Sequence, residues 1–413
     1  MATTQTFSSM INEYLPNPLL KEELIKRDYL LTKVDKDNGW KTGDLIVPFK
    51  GATASSMAMG QLTAANDIAE DKYVRGTVPG AKEIWGTMIF NHRDLMEHDG
   101  SGISEKTFLR ILPDSIEEFM SYMKNVVSCM LMNGEHLVTA TANGTVGGVL
   151  VVDHPDRVQI NQKLVIDSST QAPVTGYVSA INMETLAITL VTTRGGAIPV
   201  DLSLYLVADG TKAYIENAIG NSFTSLKSSL LSAANGGSAN LYGVSKLAYP
   251  YLQAINVPGA SVTAANILSK IFDAYVSIRT YGKGNPNEVL MSYKHLGSVL
   301  KALETSKGPF NVVPGSMETS VYGWTKVQVG GVKGLLTVVG IQELDDDVMM
   351  FIDWKALKFY SNGFFRKRKS PDGLEYFEQR STSGYTYIVD MCLFGELVLQ
   401  RPSYCGIMHS ISY

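Results

Sequence analysis

The chain has 413 residues, of which 45% are apolar and 18% are charged, enough for two or three domains with buried cores. Its 36 basic and 40 acidic residues give a net charge of -4, which argues against a protein that binds nucleic acid tightly through phosphate contacts. Three widely spaced cysteines argue against a disulfide framework or a structural zinc site. There is neither a signal-peptide pattern nor a run of about 18 apolar residues that could span a membrane, so we expect a cytoplasmic protein with reduced thiols.

The first part of the chain predicts a polar arm and two strands that are far apart in sequence. Residues 1–43 are expected to lie outside the core, with a short helix over Pro18–Leu31. Strands are predicted at Gly43–Phe49 and Glu83–Phe90. The connection Lys50–Lys82 has few large apolar side chains and, at about 30 residues, exceeds ordinary connections. Its halves "SSMAMGQL" and "DKYVRGTV" could pair as a hairpin, which would need support from outside its own domain.

The strongest helical pattern is "SIEEFMSYMKNVVSCMLMNG", which predicts a helix over residues 115–133. Ser115 and Glu118 form a capping box, and Gly134 suits the end of the helix. Apolar residues recur at helical spacing from Ile116 to Leu131, so this helix should lie along a sheet.

Residues 140–207 predict a small, self-contained β-barrel or β-sandwich. The strands "GVLVVD", "QKLVID", "TGYVSAI", "LAITLVTT" and "LSLYLVADG" are separated by turn residues. Leu186, Ile188 and Leu190 are expected to face inward, with Ala187 and Thr189 facing outward.

The remaining chain predicts helices followed by strands. "SVTAANILSKIFDAYVSIRTYG" and "YKHLGSVLKALETSKG" are helical patterns around the buried strand "NEVLMS". Most of the last hundred or so residues form strand patterns, which together with the helices indicates an α+β fold.

The densest group of reactive side chains is "NHRDLMEHDG". It matches the first letters of a kinase catalytic loop, but the Asn, the Gly-rich loop and the DFG sequence of kinases are missing. His92, Asp94, His98 and Asp99 are metal-ligand types without a standard spacing, so a solvated link is the favoured interpretation. No cofactor or catalytic signature is complete, and neither an enzyme nor a cofactor is predicted.

Two charged runs admit more than one interpretation. "ELDDD", Glu343–Asp347, could bind calcium but lacks an EF-hand pattern, so a charged connection between strands is expected. The run Arg366, Lys367, Arg368 and Lys369 follows two phenylalanines; it could contact nucleic acid or an acidic neighbour, or form a solvated hairpin tip.

The order of these elements resembles the major capsid proteins of tailed bacteriophages, whose fold was first seen in phage Hong Kong 97. "KRDYLLTKVDKDNGWKTGDLIVPFKGA" is similar to the arm that leads into that family's extended loop, and residues 50–82 are similar to the loop. Residues 115–134 look like the spine helix, residues 267–308 look like the axial domain, and residues 325–413 look like the closing peripheral strands. The β insertion is not part of the fold that the family shares, but such insertions are known in its short-tailed phage members.

The resemblance implies a domain division. The expected parts are an N-terminal arm (1–43), an extended β-hairpin loop (44–90), a peripheral domain (91–139 and 325–413), a β insertion domain (140–215) and an axial domain with its connection (216–324). Contacts between subunits are expected to include Met57, Met59, Leu62, Tyr73, Val74, Arg75, Val78, Tyr29 and Trp40.

The resemblance also implies a function: a virion shell of hexamers and pentamers, assembled in the host cytoplasm around double-stranded DNA that it does not bind by sequence. Expected partners are a separate scaffolding protein, a portal protein and a possible decoration protein, with no cofactor and no membrane. Two alternatives stay open. One is an encapsulin-like compartment, and the other is a metal-dependent enzyme that uses His92, Asp94 and His98.

Overall fold

A computed structural model describes the backbone of most of the chain, in the ranges 28–40, 43–50, 73–80, 82–91, 104–167, 172–305, 319–320, 323–324, 326–331, 334–361, 365–369, 377–381 and 384–412. Within these ranges helices and strands alternate irregularly, and the strands form three six-stranded sheets and three two-stranded pairs. The predicted α+β class is confirmed.

Five α-helices lie in the described ranges: α1 (Tyr29–Lys33), α2 (Ser104–Met132), α3 (Leu226–Leu230), α4 (Ile267–Ser277) and α5 (Tyr293–Thr305). The predicted start of α2 at Ser115 is wrong, because the helix begins at Ser104 and continues through Pro113. A proline removes one backbone hydrogen bond, and here the helix extends past that loss. Its predicted end is confirmed, since Gly134 follows with a φ of 122°.

The first sheet is built around one long strand. Its members are β1 (Asp35–Asp37), β4 (Lys82–Asn91), β20 (Leu357–Tyr360), β21 (Phe365–Lys367), β22 (Phe377–Ser381) and β23 (Gly384–Leu399). Strand β4 pairs antiparallel with β23 over ten residue pairs, while β20, β21 and β22 pair with successive parts of β23. Ile84 and Met88 of β4 and Met120 and Met123 of α2 belong to one buried cluster, as expected for a helix on a sheet.

The second sheet is the β insertion. Its strand order is β5 (His136–Thr139), β10 (Lys212–Ile215), β7 (Lys163–Ile166), β8 (Val174–Asn182), β9 (Ala187–Val191) and β6 (Val149–Val151). A bridge between Ala140 and Val152 joins the two ends of this order, so the sheet closes into a small barrel.

Two predictions within the insertion are wrong. Leu202 and Val207 are buried, but neither lies in a strand, and the last strand is β10 instead. Leu186 lies in the turn before β9 with a φ of 51° and is exposed, while Ala187 faces inward. Ile188 and Leu190 are fully buried with the half-buried Thr189 between them, so the predicted alternation holds within β9 and fails only where the strand leaves the turn.

The third sheet is mixed and has the order β13 (Ile255–Pro258), β24 (Gly406–His409), β19 (Val348–Ile352), β14 (Glu288–Met291), β18 (Gly334–Gly340) and β17 (Lys326–Gly331). The two-stranded pairs are β2 (Leu45–Lys50) with β3 (Tyr73–Val78), β11 (Asn240–Leu241) with β12 (Val244–Ser245), and β15 (Thr319–Ser320) with β16 (Gly323–Trp324).

The third sheet takes strands from both sides of the predicted domain boundary at residue 325. Strand β14 comes from the segment expected to be axial, and it pairs with β18 and β19 from the segment expected to be peripheral. Because strands of one sheet share backbone hydrogen bonds, a domain boundary cannot separate them. Helix α4 and the four strands β14, β18, β19 and β24 contribute to one buried cluster around Ile271 and Phe351.

The main core includes two parts of the chain that were expected to lie outside it, helix α1 and the barrel. Leu30 and Leu31 of α1 are fully buried in it, so the root of the predicted arm belongs to the core. Leu150 and Leu190 of the barrel belong to the same cluster as Met130 of α2. The insertion therefore shares a core with the body and is not self-contained.

Candidate assembly surface

Strands β2 and β3 form the root of the long connection that the sequence singles out. They pair antiparallel from Leu45 opposite Val78 to Lys50 opposite Tyr73, so residues 51–72 leave and return at one end of the pair. Val47, Phe49 and Val78 are buried on one face. Ile46 and Tyr73 are 60% and 67% exposed on the other. These two residues share one face of the pair but lie near its opposite ends, since Ile46 is opposite Thr77 and Tyr73 is opposite Lys50. Large apolar and aromatic residues exposed along one face are typical of a surface that contacts another molecule.

The root is fixed to the body of the protein through Tyr242. Phe49 stacks on the Tyr242 ring with centroids 5.8 Å apart, and the backbone N–H of Thr77 donates to the Tyr242 carbonyl at 2.9 Å. Gly76 permits this packing, because a Cβ there would lie 2.3 Å from the Phe49 ring.

The Tyr242 side chain in turn holds the long strand β23. Its hydroxyl donates to the Leu397 carbonyl at 3.0 Å and accepts from the Leu399 N–H at 3.1 Å. The root of residues 51–72 is thus tied to the central strand of the first sheet.

The predicted contact residues divide into three groups. Met57, Met59 and Leu62 lie outside the described residues. Tyr73 and Arg75 are exposed and open to a partner, whereas Val74 is half-buried and packs against the cluster of Val47 and Phe49. The remaining three residues, Val78, Trp40 and Tyr29, are engaged within the chain.

For those three, the structure shows contacts within the chain, and the contact between subunits stays a prediction. Val78 and Trp40 are 1% and 5% exposed and pack with Phe49 in one cluster. The Tyr29 hydroxyl donates to Glu288 at 2.7 Å. Side chains that are already buried and paired offer little surface to a partner.

Glu288 is the common acceptor of a clamp that joins α1 to the third sheet. It accepts from Tyr29 at 2.7 Å, from the Trp354 indole N–H at 2.8 Å and from Lys33 at 3.0 Å. Burial, followed by the Glu288 hydrogen bond, raises the pKa of Tyr29 and keeps the hydroxyl protonated as a donor. The described chain consequently begins at a fixed point, Asp28.

The basic run lies partly in a strand and not wholly at a hairpin tip. Arg366 and Lys367 belong to β21; Lys367 is 6% exposed, whereas Arg366, Arg368 and Lys369 are exposed. The Arg366 guanidinium lies 5.8 Å from the ring centre of Phe394.

The neighbouring arginine of that run combines charge and aromatic contacts. The Arg368 guanidinium lies 6.0 Å from the ring centre of the half-exposed Trp85 and pairs with Asp390 at 3.6 Å. Arginines on aromatic rings suit a contact surface better than a solvated tip.

"ELDDD" contains a buried charge network that the sequence did not indicate. Asp345 pairs with Arg157 of the barrel at 3.0 Å, with Lys227 of α3 at 3.0 Å and with His136 of β5 at 3.5 Å. Burial by itself would raise the pKa of Asp345, but the His136 hydrogen bond and the charges of Lys227 and Arg157 hold that pKa well below its usual range.

This network joins three parts of the fold. Next to Asp345, Glu343 pairs with Lys124 of α2, and Asn133 donates to the Glu343 carbonyl at 2.6 Å. The barrel, α2 and α3 are thereby held against the turn between β18 and β19. The partners lie far apart in sequence, so no local pattern predicts them.

The described residues contain no group of three His, Cys, Asp or Glu side chains that could hold a metal ion. The candidate ligands His92, Asp94 and His98 lie outside those residues. Cys129, Cys392 and Cys405 are free and buried, and burial raises the pKa of Cys129 to about 11, so this thiol is a poor nucleophile. Among the helices in the described ranges, none has the length and hydropathy to cross a membrane.

The barrel exposes aliphatic side chains at one end. Val146, Ile198, Leu204 and Leu206 are each more than half exposed. Their loops are adjacent, since the Leu202 N–H donates to the Thr145 carbonyl at 3.1 Å.

No protein-family model matches the sequence, and no curated protein matches it. The structure is similar to several solved shell structures. Against the capsid asymmetric unit of cyanophage A-1(L), the identity is 12%, the coverage is 92% of this chain and 91% of that one, and the TM-score is 0.49. Against the capsid of a native GTA particle, the identity is 11%, the coverage is 93% of this chain and 90% of that one, and the TM-score is 0.46. Against the holo-SrpI encapsulin complex of Synechococcus elongatus, the identity is 8%, the coverage is 93% of this chain and 87% of that one, and the TM-score is 0.39.

Proposed function

We propose that this chain is the major capsid protein of a tailed bacteriophage, of the short-tailed type, and that it assembles into an icosahedral shell around double-stranded DNA. The observation that carries the proposal is the anchored β2–β3 root. It presents Ile46 and Tyr73 outward and holds both ends of residues 51–72 through the Phe49–Tyr242 stack. A rigid base for a long connection with little of its own to bury suits a chain whose packing is completed by neighbouring copies.

The arrangement of the sequence elements supports the same proposal. An arm, a long connection between two strands, a spine helix, a β insertion and a strand-rich end follow one another as in the phage family that the sequence resembles. In the shell, copies form hexamers and pentamers, and scaffolding, portal and decoration proteins are the partners. The exposed end of the barrel at Val146, Ile198, Leu204 and Leu206 is the surface offered to a decoration protein or to a neighbouring copy.

The test replaces residues 52–71 with a short Gly/Ser link and leaves β2 and β3 intact. The subunit should keep the wild-type urea midpoint, because the stack and the buried face of the hairpin root are retained. Shells should disappear from negative-stain images of the variant. The matched control replaces the exposed turn Met183–Leu186 with a Gly/Ser link and should still form shells.

Normal particles from the chain without residues 52–71 would contradict the proposal. The nucleic-acid content of the particles distinguishes a phage capsid from an encapsulin-like compartment. Particles that are filled with enzyme cargo and contain no phage DNA would identify an encapsulin-like compartment instead.

A further inference from the structure

A groove of about 460 Å³ lies beside the β2–β3 root and shares Tyr73 with its exposed face. Residues that line it include Pro48, Tyr73, Tyr251, Gln400, Arg401 and Tyr404. Strands β2 and β3 form one wall, and the short turns Pro250–Leu252 and Pro402–Tyr404 form the other.

The chemistry of this groove is specific. Three tyrosine rings and one proline ring line it, and Tyr73 is 67% exposed. Among the described residues of the lining, Arg401 alone is charged; its guanidinium lies 5.4 Å from the ring centre of Tyr404. Grooves walled by aromatic rings bind proline-containing segments, because such segments are already extended and lose little conformational entropy on binding.

The chain carries a segment that fits this chemistry. Pro16 and Pro18 in "NEYLPNPLL" form the one Pro-x-Pro in the 413-residue sequence. Each proline fixes its own φ and restricts the residue before it, so residues 15–18 favour an extended backbone. Glu13 precedes them and can complement Arg401.

The position of this segment in the chain is also suitable. It belongs to residues 1–27, which precede the fixed point at Asp28. The residues between Pro18 and Asp28 span at most about 35 Å. The ring of Tyr29, next to Asp28, lies 6.2 Å from the ring of Trp354, and the Ala356 carbonyl accepts from the N–H of the groove residue Gln400 at 2.7 Å, so the groove lies within this reach.

We propose that the groove of Pro48, Tyr73, Tyr251 and Tyr404 binds residues 13–18 of this protein in an extended conformation, with Glu13 at Arg401. The proposal concerns the folded chain at any state of assembly and does not depend on shell formation.

The test is disulfide cross-linking of the full-length chain that carries Leu15→Cys and Pro48→Cys. Pro48 is exposed, and its replacement leaves the tyrosines in place. The three native thiols are buried, which keeps the background low. On a non-reducing gel, a faster monomer band indicates that the groove binds the segment of its own chain. A dimer band indicates that it binds the segment of a second copy, and either band supports the proposal.

The matched control pairs Leu15→Cys with Leu247→Cys, because Leu247 is 87% exposed and does not line the groove. The groove pair should cross-link several-fold faster than the control pair. Adding Pro16→Ala and Pro18→Ala should remove most of that difference. Equal rates for the two pairs, or rates unaffected by loss of both prolines, would overturn the proposal.

Discussion

Phe49 lies flat against Tyr242, with ring centroids 5.8 Å apart and the ring planes inclined by 2°. Phe49 belongs to the strand that leads into residues 51–72, whereas Tyr242 is bound to the backbone of β23. The stack therefore connects the base of the proposed intersubunit loop to the most extensively paired strand of the first sheet.

Replacing Phe49 with alanine should detach this base. Loss of a fully buried phenylalanine costs about 3–5 kcal/mol, and here it also removes the partner of Tyr242. Urea unfolding monitored by circular dichroism should show a loss of this size, and proteolysis in the region of Lys50 should become faster.

Ile46 provides the control, because it lies on the same strand and is 60% exposed on the opposite face. Ile46→Ala should change the free energy of unfolding by less than about 0.5 kcal/mol. Equal losses for the two variants would show that the stack does not anchor the hairpin root.

Asp345 should be essential for stability although it lies in a connection between strands. Asp345→Asn removes the charge that Arg157 and Lys227 share; Lys227 keeps Asp347 at 2.8 Å, whereas the buried Arg157 loses its paired carboxylate. Breaking a buried ion pair in this way costs about 3–5 kcal/mol, measurable as a lower urea midpoint.

The neighbouring Asp346 is the matched control. Its carboxylate is 40% exposed and lies 4.0 Å from Lys294. Asp346→Asn should therefore change stability by less than about 1 kcal/mol. A similar result for Asp345→Asn would refute the structural role of the network.

The free energy of unfolding should decrease as the pH rises, because of the buried carboxyl group of Glu396. Burial raises the pKa of this carboxyl to about 7, while its N–H partner Thr224, at 2.6 Å, opposes the rise. Between about pH 4.5 and 7 the folded chain binds this proton and the unfolded chain does not, so stability falls across that range. Burial raises the pKa of Asp28 to about 6, which acts in the same direction at lower pH.

Glu396→Gln isolates the contribution of that one carboxyl. The glutamine still accepts from Thr224 but carries no charge at any pH. At pH 8 the variant should be more stable than the wild type by up to about 3 kcal/mol, and near pH 5 the two should match. A difference that is independent of pH would contradict the assignment.

The Glu288 clamp predicts a spectroscopic change. Glu288→Ala leaves Tyr29, Trp354 and Lys33 without their common acceptor, at a cost of about 3 kcal/mol for the lost buried hydrogen bonds. Tryptophan fluorescence should shift as the indole N–H of Trp354 loses its partner. Unchanged fluorescence and stability would show that α1 is held by its buried leucines alone.

Local patterns predicted most of the sheet elements. The strands β14, β18 and β19 have continuous apolar runs such as "VMMFI" between turn residues, and these runs are evident without knowledge of the fold. The amphipathic stripe of α2 was equally clear from Ile116 onward. The true start of α2 at Ser104 was not clear, because the capping box at Ser115 indicates a helix start inside a helix that begins further upstream.

Long-range pairing explains the features that the sequence did not reveal. Asp345 and Arg157 are 188 positions apart, and Glu288 and Tyr29 are 259 apart. An acidic run such as "ELDDD" is usually a solvated connection, and only the folded chain places Arg157, Lys227 and His136 around one of its members. The same limit hid the role of Tyr242, which nothing in its neighbourhood distinguishes.

The most direct test of the account is imaging of the full-length chain, expressed alone and examined across a hundredfold range of concentration by size-exclusion chromatography and negative-stain electron microscopy. We expect capsomers or closed shells of uniform diameter at the upper end of that range. A compact monomer at every concentration, with the chain after Phe49 resistant to protease at the highest dilution, would contradict it.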